Sequence, residues 1–111
     1  MLYLVNGFST GMMGKRSGLW GNKVRFEFET LNPYDAGELL KTTPFVSCFG
    51  HADTAWHLSR YLHVDIPVSR ESIVPEAEDL LLVASAKHTR AYHKGFLRCP
   101  KWKFYLVRRV E

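Results

Sequence analysis

The sequence predicts a compact α/β domain in which a mixed sheet of about five strands is flanked by helices. Three observations lead to this class: apolar segments of strand length, segments that alternate between apolar and polar residues, and two amphipathic segments with helix start signals. The chain has 111 residues, of which 46% are hydrophobic and 23% charged. These values are typical of one globular domain with a core, so we expect residues 1–111 to form a single domain.

The first half of the chain predicts two strands and a helix. Leu2–Val5 is short and apolar, which is typical of a buried strand, and the glycine-rich stretch 10–22 predicts a long loop. Lys23–Thr30 alternates between apolar and charged residues, as a half-exposed strand does. Asn32-Pro33 is a helix start signal, and the helix is expected to continue to Lys41.

The second half predicts a helix and three more strands. The amphipathic helix begins at His51 and ends near His63, with Ala55, Leu58 and Leu62 on its buried face. Ile66–Val74 is predicted as a strand, and the apolar run Leu80–Ala84 as a central strand buried on both faces. Residues 87–100 are polar and basic and predict a loop or short helix. A last strand is expected to carry Trp102, Phe104 and Leu106 on one face.

The charge balance favours a small anionic ligand. The formal net charge is +4 and the isoelectric point is near 9.2, without any long run of lysine and arginine. This pattern suits an anion of modest size better than duplex nucleic acid. No segment approaches the length of a membrane span and no leader pattern precedes the first strand, so a cytoplasmic protein without membrane contact is expected. Cys48 and Cys99 lack C-x-x-C spacing, so reduced thiols are expected.

Neither a metal ion nor another cofactor is expected. His51 and His57 are six residues apart, which places them on different sides of a helix, and His88 and His93 lie in a predicted loop. The chain has no H-E-x-x-H pattern, no Walker loop, no G-x-G-x-x-G and no G-x-S-x-G elbow. The sequence therefore predicts no dedicated metal site.

The most informative segment is Phe45–Ala55, in which an apolar run ends at Gly50 and His51 follows on the first turn of a helix. The first turn of a helix has unpaired backbone N–H groups and partial positive charge, and it attracts anions such as phosphate. A histidine there can contact a phosphodiester and move a proton. The alternative is that His51 is an ordinary polar residue near a helix start. A second polar cluster after the first strand, Asn6-Gly7-Phe8-Ser9, favours the functional interpretation.

Arg70 is a second candidate. It has the same parity as Ile66 and Val68 in the predicted strand, so its side chain is expected to point inward. A buried arginine requires a compensating anion, and a salt bridge to a buried carboxylate and a phosphate ligand are equally good explanations. Arg90 lies in the basic loop before the last strand, and it can contribute to binding of an anion at His51 only if that loop covers His51.

Taken together, these segments resemble the ring nuclease family that viruses use against type III CRISPR defence and that also occurs in bacterial genomes and phages. The resemblance covers nearly the whole chain. It is carried by the motifs Leu-Tyr-Leu-Val-Asn-Gly-Phe-Ser at 2–9, Phe-Val-Ser-x-x-Gly-His-x-x-Thr-Ala at 45–55, Val-Asp-Ile-Pro-Val-Ser-Arg at 64–70 and Asp-Leu-Leu-Leu-Val-Ala at 79–84.

The resemblance implies a homodimer that binds cyclic tetra-adenylate, the second messenger of type III systems, across its two-fold axis. It also implies cleavage without a metal, in which the ribose 2′-hydroxyl attacks phosphorus and leaves a 2′,3′-cyclic phosphate. The family's histidine, which protonates the departing 5′-oxygen, falls on His51. The implied substrate contacts are Asn6, Ser9, Gly50, Thr54, Arg70, Ser85 and Arg90. Four phosphates in the ligand would also explain the excess of basic residues.

The chain departs from the family pattern in two places. Ser85 stands where relatives usually carry glutamine, and the segment Arg90–Gly95 lacks the family's Arg-Leu and Glu-Gly. The acidic residue that could orient the histidine is therefore missing. These departures leave open a non-catalytic or very slow sponge or sensor for the same ligand. A small basic protein that contacts RNA is a third alternative, although the chain has no known RNA-binding signature.

Overall fold

The structure, a computed structural model, describes residues 1–8, 25–71, 73–76, 78–87 and 101–110. Its elements in chain order are β1 (Leu2–Asn6), β2 (Phe26–Leu31), α1 (Pro33–Thr42), β3 (Phe45–Ser47), α2 (Ala52–Leu62), β4 (Leu80–Lys87) and β5 (Lys101–Arg109). The predicted loop 10–22 lies outside the described residues. So does the predicted segment 87–100, except for Lys87, which ends β4.

The five strands form one mixed sheet in the order β2-β5-β4-β1-β3. β1 pairs in parallel with both β3 and β4, whereas β5 pairs antiparallel with β4 and β2. The predicted mixed α/β sheet is therefore confirmed. Because β3, β1 and β4 run in the same direction, their carboxyl ends meet at one edge of the sheet.

The predicted strand at Ile66–Val74 is wrong. The described residues of this segment form no regular element, and the fifth strand is Phe45–Ser47 instead. Pro67 has no backbone N–H to donate to a sheet ladder, and a proline within a strand pattern argues against a central strand. The segment is attached to the end of β3 by a hydrogen bond in which the N–H of Ser69 donates to the carbonyl of Phe49 at 2.8 Å.

Both predicted helices are confirmed. Asn32 caps α1, because its Oδ1 accepts a hydrogen bond from the N–H of Asp35 at 2.8 Å, and Pro33 occupies the first turn. His51 is the N-cap residue of α2, and the chain leaves that helix through His63, which adopts the left-handed conformation with φ 56°. α2 therefore begins and ends within a residue of its predicted bounds.

The core lies on both faces of the sheet, as predicted for β4. Both helices pack on one face, where the buried residues are Leu2, Leu4, Ala36, Leu40, Phe49, Ala55, Leu58, Leu62, Ile66, Leu82, Ala84, Trp102 and Phe104. The opposite face buries Val5, Leu81, Val83 and Val107. Partly buried side chains, which include Phe8, Phe26 and Tyr105, surround this second group. No helix of the described ranges covers this second face.

Candidate functional site at the carboxyl edge of the sheet

The carboxyl ends of the three parallel strands bring the predicted site residues to one edge of the sheet. β1 ends at Asn6, which is paired with Ala84 of β4, so Ser85 lies one residue beyond that pair. β3 ends at Ser47, and four residues later the chain reaches His51 at the start of α2. In open α/β sheets, ligands bind in the crevice outside the carboxyl ends of the strands. This edge is therefore the candidate site.

His51 is the N-cap residue of α2, with extended backbone angles of φ −115° and ψ 123°. Its carbonyl accepts the first helical hydrogen bond, from the N–H of Ala55 at 3.0 Å. The exposed imidazole makes no capping bond to the helix, and no residue of the described ranges forms a hydrogen bond or ion pair with it. The backbone N–H groups of the first turn, which includes the half-buried Thr54, have no partner in the helix ladder. The carboxylate of Asp53 lies in the same turn and opposes anion binding there.

The segment before His51 is fixed by buried contacts. The N–H of Cys48 donates to the carbonyl of Leu4 at 2.8 Å, and the buried hydroxyl of Ser47 accepts from the N–H of Phe49 at 3.3 Å. The Phe49 ring is fully buried, with its centroid 6.3 Å from the Trp102 ring. Because Phe49 is anchored in this way, the backbone that presents His51 to solvent is held in place.

Arg70 lies at the same edge, but it is placed there by a contact that the sequence did not predict. Its Nε donates to the carbonyl of Gly50 at 3.4 Å, and its side chain is exposed, so the expected inward orientation is wrong. It makes no salt bridge within the described part of the chain, so the carboxylate partner considered above is not found there. A Cβ on Gly50 would lie 3.3 Å from Cγ of Arg70. The glycine therefore permits the close approach of the arginine to the residue preceding His51.

The structure separates Asn6 and Ser85 onto the two faces of the sheet. Asn6 alternates with Leu2 and Leu4, which face the helices, whereas Ser85 alternates with Leu81 and Val83 on the opposite face. Both side chains are exposed. His51 and Asn6 thus belong to the helix side of the edge, and Ser85 belongs to the other side. Ser9 and Arg90 lie outside the described residues.

A pocket next to Ser85 was missed by the sequence analysis. It has a volume of about 270 Å³, and we call it the aromatic pocket; it is lined by Gly7, Phe8, Phe28, Val83, Ser85 and Tyr105. The Phe8 ring packs edge-on against two rings of β2, with centroid distances of 5.0 Å to Phe26 and 5.5 Å to Phe28. The equal parity of the two β2 phenylalanines was visible in the sequence. Their proximity to Phe8 depends on the pairing of β2, β5 and β4, which was not.

The described residues contain no group of three or more histidine, cysteine, aspartate and glutamate side chains that could hold a metal ion. Within the same ranges, no helix is long and apolar enough to cross a membrane. Burial, and after it the negative charge of Glu71, raises the pKa of the Cys48 thiol above its usual range. Cys48 is therefore a thiol rather than a thiolate at neutral pH, which is unfavourable for metal binding and for nucleophilic chemistry.

Comparison with known proteins gives a family and a fold. The model of the STIV B116-like family matches residues 2–97 of the chain. Among solved structures, the chain is similar to B116 of Sulfolobus turreted icosahedral virus, with a TM-score of 0.69 and 16% sequence identity over 96% of this chain and 97% of that one. At this identity the likeness is one of fold alone. A search of curated proteins returned no match.

Proposed function

The chain belongs to the STIV B116-like family, and we propose that it is a metal-independent ring nuclease that cleaves cyclic tetra-adenylate. In this role it would act in the cytoplasm to shut down or evade type III CRISPR signalling. The observation that carries the proposal is the exposed His51 at the start of α2, with the Arg70 side chain bonded to the adjoining carbonyl of Gly50. A proton donor, a cation and unpaired backbone N–H groups together suit a phosphodiester.

The proposed reaction uses a nucleophile that the substrate already carries. The 2′-oxygen of one ribose forms a bond to the adjacent phosphorus while the bond from phosphorus to the 5′-oxygen breaks. The 2′-hydroxyl proton passes to solvent, and the His51 imidazolium donates a proton to the departing 5′-oxygen. The products are a 5′-hydroxyl and a 2′,3′-cyclic phosphate. Arg70 and the first-turn N–H groups would stabilise the negative charge that develops on the phosphoryl oxygens.

The test is single-turnover cleavage of radiolabelled cyclic tetra-adenylate with excess EDTA present. His51→Ala should slow cleavage by roughly 10²- to 10⁴-fold, the usual contribution of a general acid, while the ring still binds. His57→Ala is a matched control, since it removes a histidine from the same helix away from the first turn. Loss of binding with an unchanged single-turnover rate would reverse the role of His51. Restoration of activity by magnesium or manganese after chelation would contradict a metal-independent mechanism.

We also propose a two-fold symmetric homodimer as the active form. A cyclic tetramer presents equivalent scissile bonds on opposite sides, and a domain of 111 residues has little surface with which to enclose it. Two copies related by a two-fold axis would place one His51 at each of two opposite phosphates. Cleavage should then proceed through a linear four-nucleotide intermediate to di-adenylate. Light scattering that finds a monomer with the ring bound would contradict this arrangement.

A binding protein without turnover, a sponge or sensor for the same ring, is the second candidate. It is favoured by one observation: no residue of the described ranges forms a hydrogen bond or ion pair that orients the His51 imidazole. A general acid without an orienting partner spends less time in the productive geometry. The same cleavage assay distinguishes the two functions, because a sponge binds the ring stoichiometrically and releases it intact.

A further inference from the structure

The aromatic pocket lies beside the proposed cleavage site but on the other face of the sheet. Gly7, which lines the pocket, follows Asn6 directly at the end of β1. Its N–H donates to the carbonyl of Ala84 in β4 at 3.1 Å, so the pocket begins where these two strands end. Ser85 belongs to the pocket and is also one of the predicted substrate contacts. The pocket therefore adjoins the ends of β1 and β4, which form part of the carboxyl edge.

The lining of the pocket suits a flat, uncharged group. Three of its six residues are aromatic and none carries a charge, so it offers no compensation for a phosphate. The hydroxyls of Ser85 and Tyr105 are its polar side-chain groups. Phe28 is 56% exposed, which leaves most of its ring free to contact a ligand. Gly7 adopts φ +79°, a conformation that favours glycine, and a Cβ placed there would meet no atom of the described residues within 4 Å.

We propose that the aromatic pocket binds one adenine base of the ring whose phosphates contact His51 and Arg70. The inference rests on the proposed function and adds to it the residues that recognise the base. A volume of about 270 Å³ is slightly below the range of about 300 to 1,000 Å³ for pockets that hold drug-sized ligands, so the pocket suits one base rather than a whole nucleotide chain. Aromatic side chains bind nucleobases by stacking. The Ser85 hydroxyl is then a hydrogen-bonding group for the base rather than for a phosphate.

The test measures binding of cyclic tetra-adenylate by calorimetry in a His51→Ala background, so that the ring stays intact. Phe28→Ala should raise Kd by about 5- to 150-fold, the range for loss of one base–aromatic stack. Phe28→Trp should keep Kd near that of the parent, because it retains a flat ring. Phe26→Ala is the matched control: Phe26 lies on the same strand, contacts Phe8 and does not line the pocket.

A second measurement reports on the base itself and does not depend on the stability of any alanine variant. A ring with one 2-aminopurine in place of adenine should lose fluorescence on binding, since stacking on an aromatic side chain quenches it. The quenching should be smaller with Phe28→Ala at saturating protein. Thermal unfolding of each variant establishes that it is folded at the temperature of the titration.

The outcomes separate this inference from the function on which it rests. If the parent binds the ring and Phe28→Ala changes neither Kd nor quenching, the pocket assignment is overturned while the proposed function stands. An equal loss with Phe26→Ala and Phe28→Ala would overturn the assignment too, because packing of β2 would then be responsible. If the parent does not bind the ring at all, the proposed function fails, and the assignment fails with it.

Discussion

Replacement of Arg70 by alanine tests whether this side chain acts on the ligand or on the fold. The structure predicts a small effect on stability, because Arg70 is exposed and its bond to Gly50 is long, at 3.4 Å. We expect the free energy of unfolding to fall by less than about 1 kcal/mol. A charge-assisted bond to a phosphate contributes about 1.5 to 3 kcal/mol, so Kd for cyclic tetra-adenylate should rise about 10- to 150-fold.

The assay pairs urea unfolding with calorimetric titration in the His51→Ala background. Arg60→Ala is the matched control, since it also lowers the net charge from +4 to +3. Arg60 lies in the last turn of α2, about 13 Å along the helix from His51, with its guanidinium 4.8 Å from the Trp56 ring. Equal weakening by both variants would mean that only overall charge attracts the ring. Unfolding of Arg70→Ala would refute the reasoning and make Arg70 structural.

Two further predictions concern the scaffold. Asn32→Ala should lower the free energy of unfolding by about 1 kcal/mol in urea titrations, because it removes the cap of α1; an unchanged midpoint would contradict that role. In a Cys99→Ser background, Cys48 should react with iodoacetamide at pH 8 more slowly than a free cysteine. Burial, with the Glu71 charge, raises its pKa, so less thiolate is present at that pH; a rate equal to that of free cysteine would contradict this.

The parts of the fold that the sequence predicted are those with strong local periodicity. β1 and β4 are continuous apolar runs, β5 alternates cleanly, and α2 combines a regular apolar face with a recognisable start at His51. Each of these patterns is complete within a dozen residues, so no knowledge of distant contacts was needed to assign it. His51 was placed correctly at the start of a helix for the same reason.

The errors arose where structure depends on distant partners. β3 has three residues, too few for a periodic pattern, and it exists because β1 pairs with it. Ile66–Val74 has an apolar pattern without a sheet partner, so the inward orientation of Arg70 inferred from parity failed with the strand. The sequence did place Arg70 in the candidate site. Arg70 is held there by a hydrogen bond to Gly50, twenty residues earlier in the chain, and no local sequence pattern indicates such a contact.

The positions of His51 and Ser85 also constrain the size of any ligand that contacts both. His51 begins a helix that packs on one face of the sheet, whereas Ser85 alternates with residues that are buried on the opposite face. A ligand that contacts both residues must therefore pass the edge of the sheet, and we expect a mononucleotide to contact one side at a time. On the proposed function, a cyclic tetranucleotide would be large enough to pass around the edge, with a phosphate at His51 and a base beside Phe28. If the proposed function holds, this placement of His51 and Ser85 on the two faces of the sheet would favour ring-sized ligands over mononucleotides.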